Sequence, residues 1–152
     1  MYKRILVPLD GSKRAEAILP HVEKLARCFD ARVIFLSILE PIKIMASEGG
    51  YIPNITTILH SQEEVKQRIE GYLKGIKGEF REKGLSGKTV VVEGPIVNSI
   101  INAAEREHVD LIGMSSHGRT GLSHVFYGSV AAGVLHRIDR PLLLIRETAN
   151  KT

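Results

Sequence analysis

The chain has 152 residues, of which 43% are hydrophobic and 25% are charged, and its formal net charge is +4. This is the usual composition of one globular domain, which argues against a disordered or fibrous chain. The single cysteine, Cys28, excludes an intrachain disulfide and fits a reducing compartment. Because it falls in a helical pattern, we expect an inert structural thiol.

Targeting signals are not recognised in the sequence. The first apolar run follows Arg4 directly, without the longer apolar core of a signal peptide. No apolar run approaches the ~20 residues of a membrane span. We therefore expect a soluble cytoplasmic protein.

The positive charge does not predict nucleic-acid binding. Between residues 63 and 83 lysine and arginine alternate with glutamate, as on a solvated helix face. With four Tyr, four Phe and no Trp, a surface for base stacking is poorly supplied.

Five short apolar runs predict buried strands, over residues 4–9, 32–39, 89–92, 110–114 and 141–145. Pro8 is expected near the end of the first, because proline cannot donate to a strand ladder. The segments between the strands carry apolar residues three and four apart, which predicts four amphipathic helices. Strand–helix alternation favours an α/β fold, with a mostly parallel sheet covered by helices on both faces.

The first helix is expected to begin at Ser12 as its N-cap and to be bent or weakened at Pro20. The second is predicted to begin at Ser61, which with Glu64 spells a capping box. Residues 41–60 show no clean period, yet they are too apolar for simple disorder. We interpret them as a flap or a dimer contact.

A glycine-rich loop follows the fourth strand and precedes the last helix. Backbone N–H groups at such a junction can face an anion. The loop lacks the common P-loop pattern and the Gly-x-Gly-x-x-Gly pattern. It contains Ser115, then Gly118, then Gly128 and Ser129, and on the residues alone a tight turn explains it as well as a phosphate site does.

Other chemistry finds little support in the sequence. Ser115, Ser116 and His117 could be cast as a hydrolase site, but no Gly-x-Ser-x-Gly elbow is present. His117 and His124 lack a third nearby ligand, which disfavours a metal site built from protein alone. No lysine follows the glycine loop, so strong ATPase activity is not expected.

The loop and its context resemble the universal stress protein family. Nucleotide-binding members carry Gly-x2-Gly-x9-Gly-[Ser/Thr], and Ser115, Gly118, Gly128 and Ser129 occupy those places here. Residues 5–12 and 141–145 resemble the family's first and last strands. The resemblance covers the whole chain and is weakest over residues 41–60.

The resemblance implies a Rossmann-like, adenine nucleotide alpha hydrolase-like fold, an open five-stranded parallel sheet in the order 3-2-1-4-5. It implies one domain over residues 1–147 with a tail over 148–152. It also implies a homodimer that pairs through the last strand, at Leu142, Leu143, Leu144 and Ile145.

The same resemblance implies binding of ATP, or of AMP or ADP, with Mg²⁺ held mainly by phosphates and water. Asp10 and the backbone near Ile38 are assigned to adenine and ribose. The full set of nucleotide-binding residues that we predict is Pro8, Asp10, Ile38, Met114, Ser115, His117, Gly118, Arg119, Gly128, Ser129 and Val130.

Serine replaces the first glycine of the motif, at Ser115. Serine would weaken binding if that position required a positive φ or a close approach of the backbone, and would be tolerated if the position only presents an N–H. Three functions therefore stay open: an ATP-binding switch or regulator, a non-nucleotide interaction module of the same fold, and an enzyme that activates a substrate with ATP.

Overall fold

The computed structural model describes residues 1–41, 54–116 and 128–146. The strands in these ranges are β1 (Arg4–Pro8), β2 (Arg32–Leu39), β3 (Gly87–Glu93), β4 (Leu111–Ser115) and β5 (Leu142–Ile145). The helices are α1 (Lys13–Glu16), α2 (Leu19–Phe29), α3 (Ile55–Glu82), α4 (Ile96–Arg106) and α5 (Ser129–Arg137). The predicted strands are thus all present, and their ends differ from the predicted ones by at most two residues.

The strands form one sheet in the order β3-β2-β1-β4-β5, and every pairing between neighbours is parallel. The order expected from the family resemblance is therefore confirmed. The chain winds from β1 outward to β3 and then crosses to the other side of β1. The direction of winding consequently reverses between β1 and β4, and ligands of open α/β sheets bind at such a point.

Two apolar cores lie on opposite faces of this sheet. On one face, β1 and β2 pack against α2 and α3, where the rings of Phe35 and Phe80 meet edge to face at 5.0 Å between centroids. On the other face, Leu6 and Ile34 pack against α4 and α5. Alternate residues of each central strand supply the two cores, which explains why these strands are apolar along their whole length.

The prediction of one continuous helix after β1 is wrong. The structure has two helices, α1 and α2, and Pro20 lies in the first turn of α2. Proline is well suited to that position, because an N–H there has no intrahelical partner and the fixed φ matches the helix. Pro20 therefore helps to begin a helix and does not bend one.

The predicted start of the long helix is also wrong. α3 begins at Ile55, and the side chain of Asn54 accepts a hydrogen bond from the N–H of Thr56 at 3.1 Å. Ser61 lies inside the helix, where its hydroxyl donates to the carbonyl of Ile58. Residues 54–60 are thus helix and cap, and residues 42–53 lie outside the described ranges.

Cys28 is exposed on α2, so it has no packing role of the kind expected for a structural thiol. Among the described residues, no helix is both long and apolar enough to cross a membrane.

Candidate functional site at the carboxyl end of the sheet

β1 and β4 stop pairing before either strand ends. Their register joins Ile5 to Leu111 and Leu6 to Ile112, whereas β1 continues to Pro8 and β4 to Ser115. Each strand continues to pair with its other neighbour. β1 pairs with β2 as far as Pro8, and β4 pairs with β5 as far as Ser115. The sheet therefore divides at its switch point, on the side where the strands end.

The turn after β1 forms one side of this division. The N–H of Leu9 donates to the carbonyl of Leu36 at 2.8 Å, and the buried Ser37 hydroxyl donates to the carbonyl of Leu9 at 2.7 Å. These two bonds fix the backbone that leads to Asp10. Ser37 was not predicted, because a serine inside an apolar strand gives no signal that it anchors a neighbouring loop.

Asp10 orders the turn with one carboxylate oxygen and leaves the other open. Its Oδ1 accepts from the N–H of Ser12 at 2.9 Å and from the Ser12 hydroxyl at 2.6 Å. Gly11 between them has φ +83°, a conformation that glycine adopts without strain. Ser12 in turn caps α1 by accepting from the N–H of Ala15 at 3.1 Å, as predicted. No described residue donates to Oδ2 of Asp10, and the side chain is exposed.

A hydrogen bond also joins α1 to α3. The Tyr72 hydroxyl donates to Glu16 Oε1 at 2.9 Å. Burial of the ring raises the pKa of Tyr72, and the negative charges of Glu16 and Asp10 raise it further. Tyr72 therefore remains a neutral donor throughout the physiological range, and the turn at Asp10 is attached to both the sheet and α3.

The end of β4 forms the other side of the division. Ser115 is 8% exposed and Ser116 is 3% exposed. The N–H of Ser116 donates to the carbonyl of Ile145 at 2.8 Å, and the carbonyl of Ser116 accepts from the N–H of Gly128 at 2.7 Å. Gly128 is the N-cap of α5, so the amino terminus of that helix lies beside the end of β4.

An amino terminus placed in this way is suited to an anion, because its first N–H groups have no intrahelical acceptor and the helix dipole is positive there. Gly128 has no side chain with which to cap them. The N–H groups of the first turn belong to Ser129, Val130 and Ala131. They supply donors on the β4 side of the division, while Asp10 supplies an acceptor on the β1 side.

The serine at the first motif position occupies ordinary backbone geometry. Among the described residues other than glycine, only Asp30 and His108 have positive φ. Ser115 is a strand residue paired with Ile145. A glycine is therefore not required at this position on conformational grounds.

Those predicted residues that lie in the described ranges are found at the carboxyl end of the sheet. Pro8 ends β1, Ile38 is the next-to-last residue of β2, and Met114 and Ser115 end β4. Gly128, Ser129 and Val130 begin α5. Three further predicted residues, His117, Gly118 and Arg119, lie outside the described ranges.

These residues fit an adenine nucleotide in chemical type. The open carboxylate oxygen of Asp10 can accept from ribose hydroxyls, and the first turn of α5 can donate to phosphate oxygens. Within the described parts of the chain, no group of three His, Cys, Asp or Glu residues could hold a metal ion. A divalent cation at this edge would depend on the phosphates for most of its ligands.

The strand order defines an open, doubly wound α/β protein, a class in which ligands bind at the switch point. A sequence profile of the Universal stress protein family matches residues 1–146. The chain belongs to the universal stress protein family.

Individual relatives agree with this assignment. Universal stress protein MJ0577 of Methanocaldococcus jannaschii is 30% identical over 96% of each chain, and its solved structure superposes with a TM-score of 0.83, at 29% identity over 99% of each chain. Universal stress protein MJ0531 of the same organism is 32% identical over 97% of this chain and 84% of its own.

More distant solved structures share the fold. One is a universal stress protein in complex with cAMP, with 19% identity over 97% of this chain and 98% of its own and a TM-score of 0.67. Another is the universal stress protein of Archaeoglobus fulgidus in complex with dAMP, with 20% identity over 95% of this chain and 98% of its own and a TM-score of 0.61.

Proposed function

We propose that this chain binds ATP with Mg²⁺ at the carboxyl end of the sheet and acts as a nucleotide-dependent switch or regulator in the stress response. The observation that carries the proposal is the early end of pairing between β1 and β4, with an open carboxylate on one side and a helix amino terminus on the other. The cAMP and dAMP complexes of two structural relatives support adenine as the base.

In this proposal the ribose and adenine lie against the β1 side. Asp10 accepts from a ribose hydroxyl through Oδ2, while its Oδ1 remains bonded to Ser12. Pro8 and the backbone of Ile38 border the base. This arrangement resembles other nucleotide sites on doubly wound sheets, in which an acidic residue binds the ribose.

The phosphates lie against the β4 side. Their oxygens accept from the backbone at Ser115 and from the first turn of α5, at Ser129 and Val130, which Gly128 leaves uncapped. Met114, His117, Gly118 and Arg119 complete the proposed contacts. Since no group of three metal-binding side chains occurs among the described residues, we propose that the phosphates and water hold Mg²⁺.

We expect hydrolysis to be slow at most. Strong phosphoryl-transfer catalysts place a lysine against the β- and γ-phosphates and a residue that orients the attacking water. Neither follows from the motif of this chain. The proposed role is therefore to sense or carry nucleotide, in the cytoplasm, with residues 1–147 as one domain and 148–152 as a tail.

We further propose a homodimer that pairs through β5. This strand is at the edge of the sheet and has β4 as its only partner in the described chain. The side chains of Leu142 and Leu144 pack on one core, and those of Leu143 and Ile145 on the other. The strand would therefore offer its unpaired backbone groups to a second copy.

The nucleotide proposal is tested on protein as it is purified. The chain is heat-denatured, the supernatant is analysed by chromatography for adenine absorbance, and the thermal midpoint is measured with Mg-ATP and with Mg-GTP. We expect retained adenine nucleotide, or a rise in midpoint with ATP that exceeds the rise with GTP. Absence of both would favour the alternative, a non-nucleotide interaction module. Release of pyrophosphate with a substrate would favour the ATP-dependent enzyme.

A further inference from the structure

A cavity lies at the opposite end of the sheet, where the strands begin. It measures about 190 Å³. Most of its lining is charged or polar, from the side chains of Arg4, Arg32, Lys88, Arg106, Glu107 and His108. This cavity shares no residue with the proposed nucleotide site.

The register of the strands explains why Arg4, Arg32 and Lys88 lie together in this cavity. Arg4 and Arg32 are paired residues of β1 and β2, and Ile34 and Lys88 are paired residues of β2 and β3. Paired residues of parallel strands project from the same face, and so do Arg32 and Ile34, which are two apart. Ile34 is buried in the core against α4. The three cations therefore project from the face that α4 covers, and the end of α4 brings Arg106 and His108 to them.

The negative charge in the cavity balances only part of this positive charge. The Glu107 carboxylate accepts from Lys88 Nζ at 2.7 Å and lies 3.7 Å from Arg106 Nε. Arg4 Nη1 donates to the backbone carbonyl of Glu107 at 3.3 Å, which helps to complete the end of α4. The guanidinium of Arg32 has no hydrogen-bond or ion-pair partner among the described residues.

The nearby carboxylate of Asp110 adds a second negative charge but does not line the cavity, and it accepts from the backbone N–H groups of Lys3 and Arg4 at 2.8 and 3.2 Å. The four cations of the lining, Arg4, Arg32, Lys88 and Arg106, still outnumber the carboxylates of Glu107 and Asp110. Helix capping accounts for Arg4, and ion pairing accounts for Lys88. Neither contact involves Arg32, an exposed residue that lines the cavity and has no polar partner among the described residues.

We propose that this cavity is a second binding site, for a small anion that carries one or two phosphate groups. Guanidinium groups match phosphate oxygens in geometry, and a lysine adds a point charge. Among the described residues, the only apolar side chain of the lining is Ile34, and the only aromatic ring is the imidazole of His108. Because the rest of the lining is charged, the proposed ligand is inorganic phosphate or pyrophosphate. This inference does not depend on the proposed function.

The test uses pyrophosphate as the probe, titrated calorimetrically into the full chain at about 150 mM salt, where weak surface attraction is screened. Arg32→Gln removes one charge and breaks no side-chain hydrogen bond or ion pair among the described residues, and we expect it to weaken binding roughly tenfold or more. Arg68→Gln is the matched control, since Arg68 is an exposed cation on α3 with the same charge. No binding by the unaltered chain, or equal weakening by both substitutions, would overturn the proposal.

A second variant is expected to raise the affinity for pyrophosphate. Glu107→Gln removes the one carboxylate in the cavity and releases Lys88, so we expect pyrophosphate to bind several-fold more tightly. Unfolding cannot imitate a gain in affinity. Weaker or unchanged binding by a Glu107→Gln chain with native circular dichroism would contradict the proposal.

Backbone amide NMR locates the bound probe and separates the two sites. We expect pyrophosphate to shift the resonances of Arg4, Arg32, Lys88 and His108. If the shifts instead fall on Asp10, Gly11, Ser129 and Val130, the probe binds only at the proposed nucleotide site and the second site is refuted.

Discussion

The N–H of Gly128 donates to the carbonyl of Ser116 at 2.7 Å, which fixes the start of α5 beside the end of β4. Ser116 is itself bonded through its N–H to Ile145 in the neighbouring strand. These two hydrogen bonds therefore position the first turn of α5 relative to the sheet. A phosphate placed at this turn would be recognised by backbone groups, and side chains would adjust its affinity.

Ser115 tests whether the departure from the glycine motif matters. Ser115 is a buried strand residue without positive φ, so Ser115→Gly relieves no strain. We expect ATP affinity to change by less than about threefold, and stability to fall by roughly 1 kcal/mol because glycine weakens a strand. Titration calorimetry and urea unfolding measure the two effects. A large gain in affinity would mean that serine obstructs the site.

Two substitutions of Asp10 distinguish the effect of its charge on ATP binding from its effect on the stability of the turn. Asp10→Asn keeps an oxygen for Ser12 but replaces the open carboxylate oxygen, so we expect roughly tenfold weaker ATP binding with little loss of stability. Asp10→Ala also removes the acceptor for Ser12 and is expected to cost about 1 kcal/mol of stability.

The charge-matched control for Asp10 is Asp30→Asn. Asp30 is the C-cap of α2 with φ 50°, a conformation that asparagine tolerates. We expect this variant to bind ATP as the unaltered chain does. If Asp30→Asn and Asp10→Asn weaken binding equally, Asp10 has no specific contact with the nucleotide.

The free edge of β5 gives a test of dimerisation. The carbonyls of Pro141 and Ile145 accept hydrogen bonds from β4 and from the residue that follows it. Since successive residues of a strand direct their backbone groups to opposite sides, the N–H of Leu144 points to the side without a partner strand. Leu144→Pro removes that donor, and Leu144→Ala loses side-chain packing but keeps the N–H. We expect a monomer from the first and a dimer from the second, by sedimentation velocity. A dimer from both would exclude pairing through this edge.

Glu107 makes part of the stability depend on pH. The hydrogen bond from Lys88 lowers the pKa of the Glu107 carboxyl below its ordinary value of 4.5. The ionised group therefore stabilises the folded chain above that value, and the contribution disappears as the pH falls through the lowered pKa. We expect Glu107→Gln to cost roughly 1 kcal/mol at neutral pH and less at acidic pH, with the cost shrinking as the pH falls from the ordinary carboxyl value through the lowered pKa.

The control is Glu105→Gln, a substitution on the same helix at an exposed carboxylate that has no side-chain partner among the described residues. Urea unfolding at neutral and at acidic pH should show a difference between Glu107→Gln and the unaltered chain that shrinks on acidification, and no such trend for Glu105→Gln. A constant difference would mean that Glu107 acts through packing and not through its charge.

Much of the fold could be predicted because its strands are buried on both faces and read as continuous apolar runs. The strand order could not be derived from periodicity, since nothing in the alternation of strands and helices says which strands are neighbours. The start of α3 was missed because Asn54 lies beside a segment rich in glycine and proline. The first turns of α3 also leave Ile55 65% exposed, so burial did not shape the pattern there.

The candidate site was predictable only in its sequence-local parts. The turn at Asp10 and the start of α5 each have a local pattern, of capping residues or glycine. The anchoring of the turn by Ser37, and its attachment to α3 through Tyr72, join residues far apart in sequence. The same holds for the cationic cavity at the opposite end of the sheet, whose members come from three strands and a helix end.

The most direct test of the central claim is calorimetric titration of Mg-ATP into the unaltered chain and into Gly128→Val. Valine at the N-cap places a branched side chain where the phosphates are proposed to approach the backbone. We expect saturable binding by the unaltered chain and at least roughly tenfold weaker binding by Gly128→Val, with both chains folded. Equal ATP affinity in the two chains, or no binding by either, would contradict the proposed site.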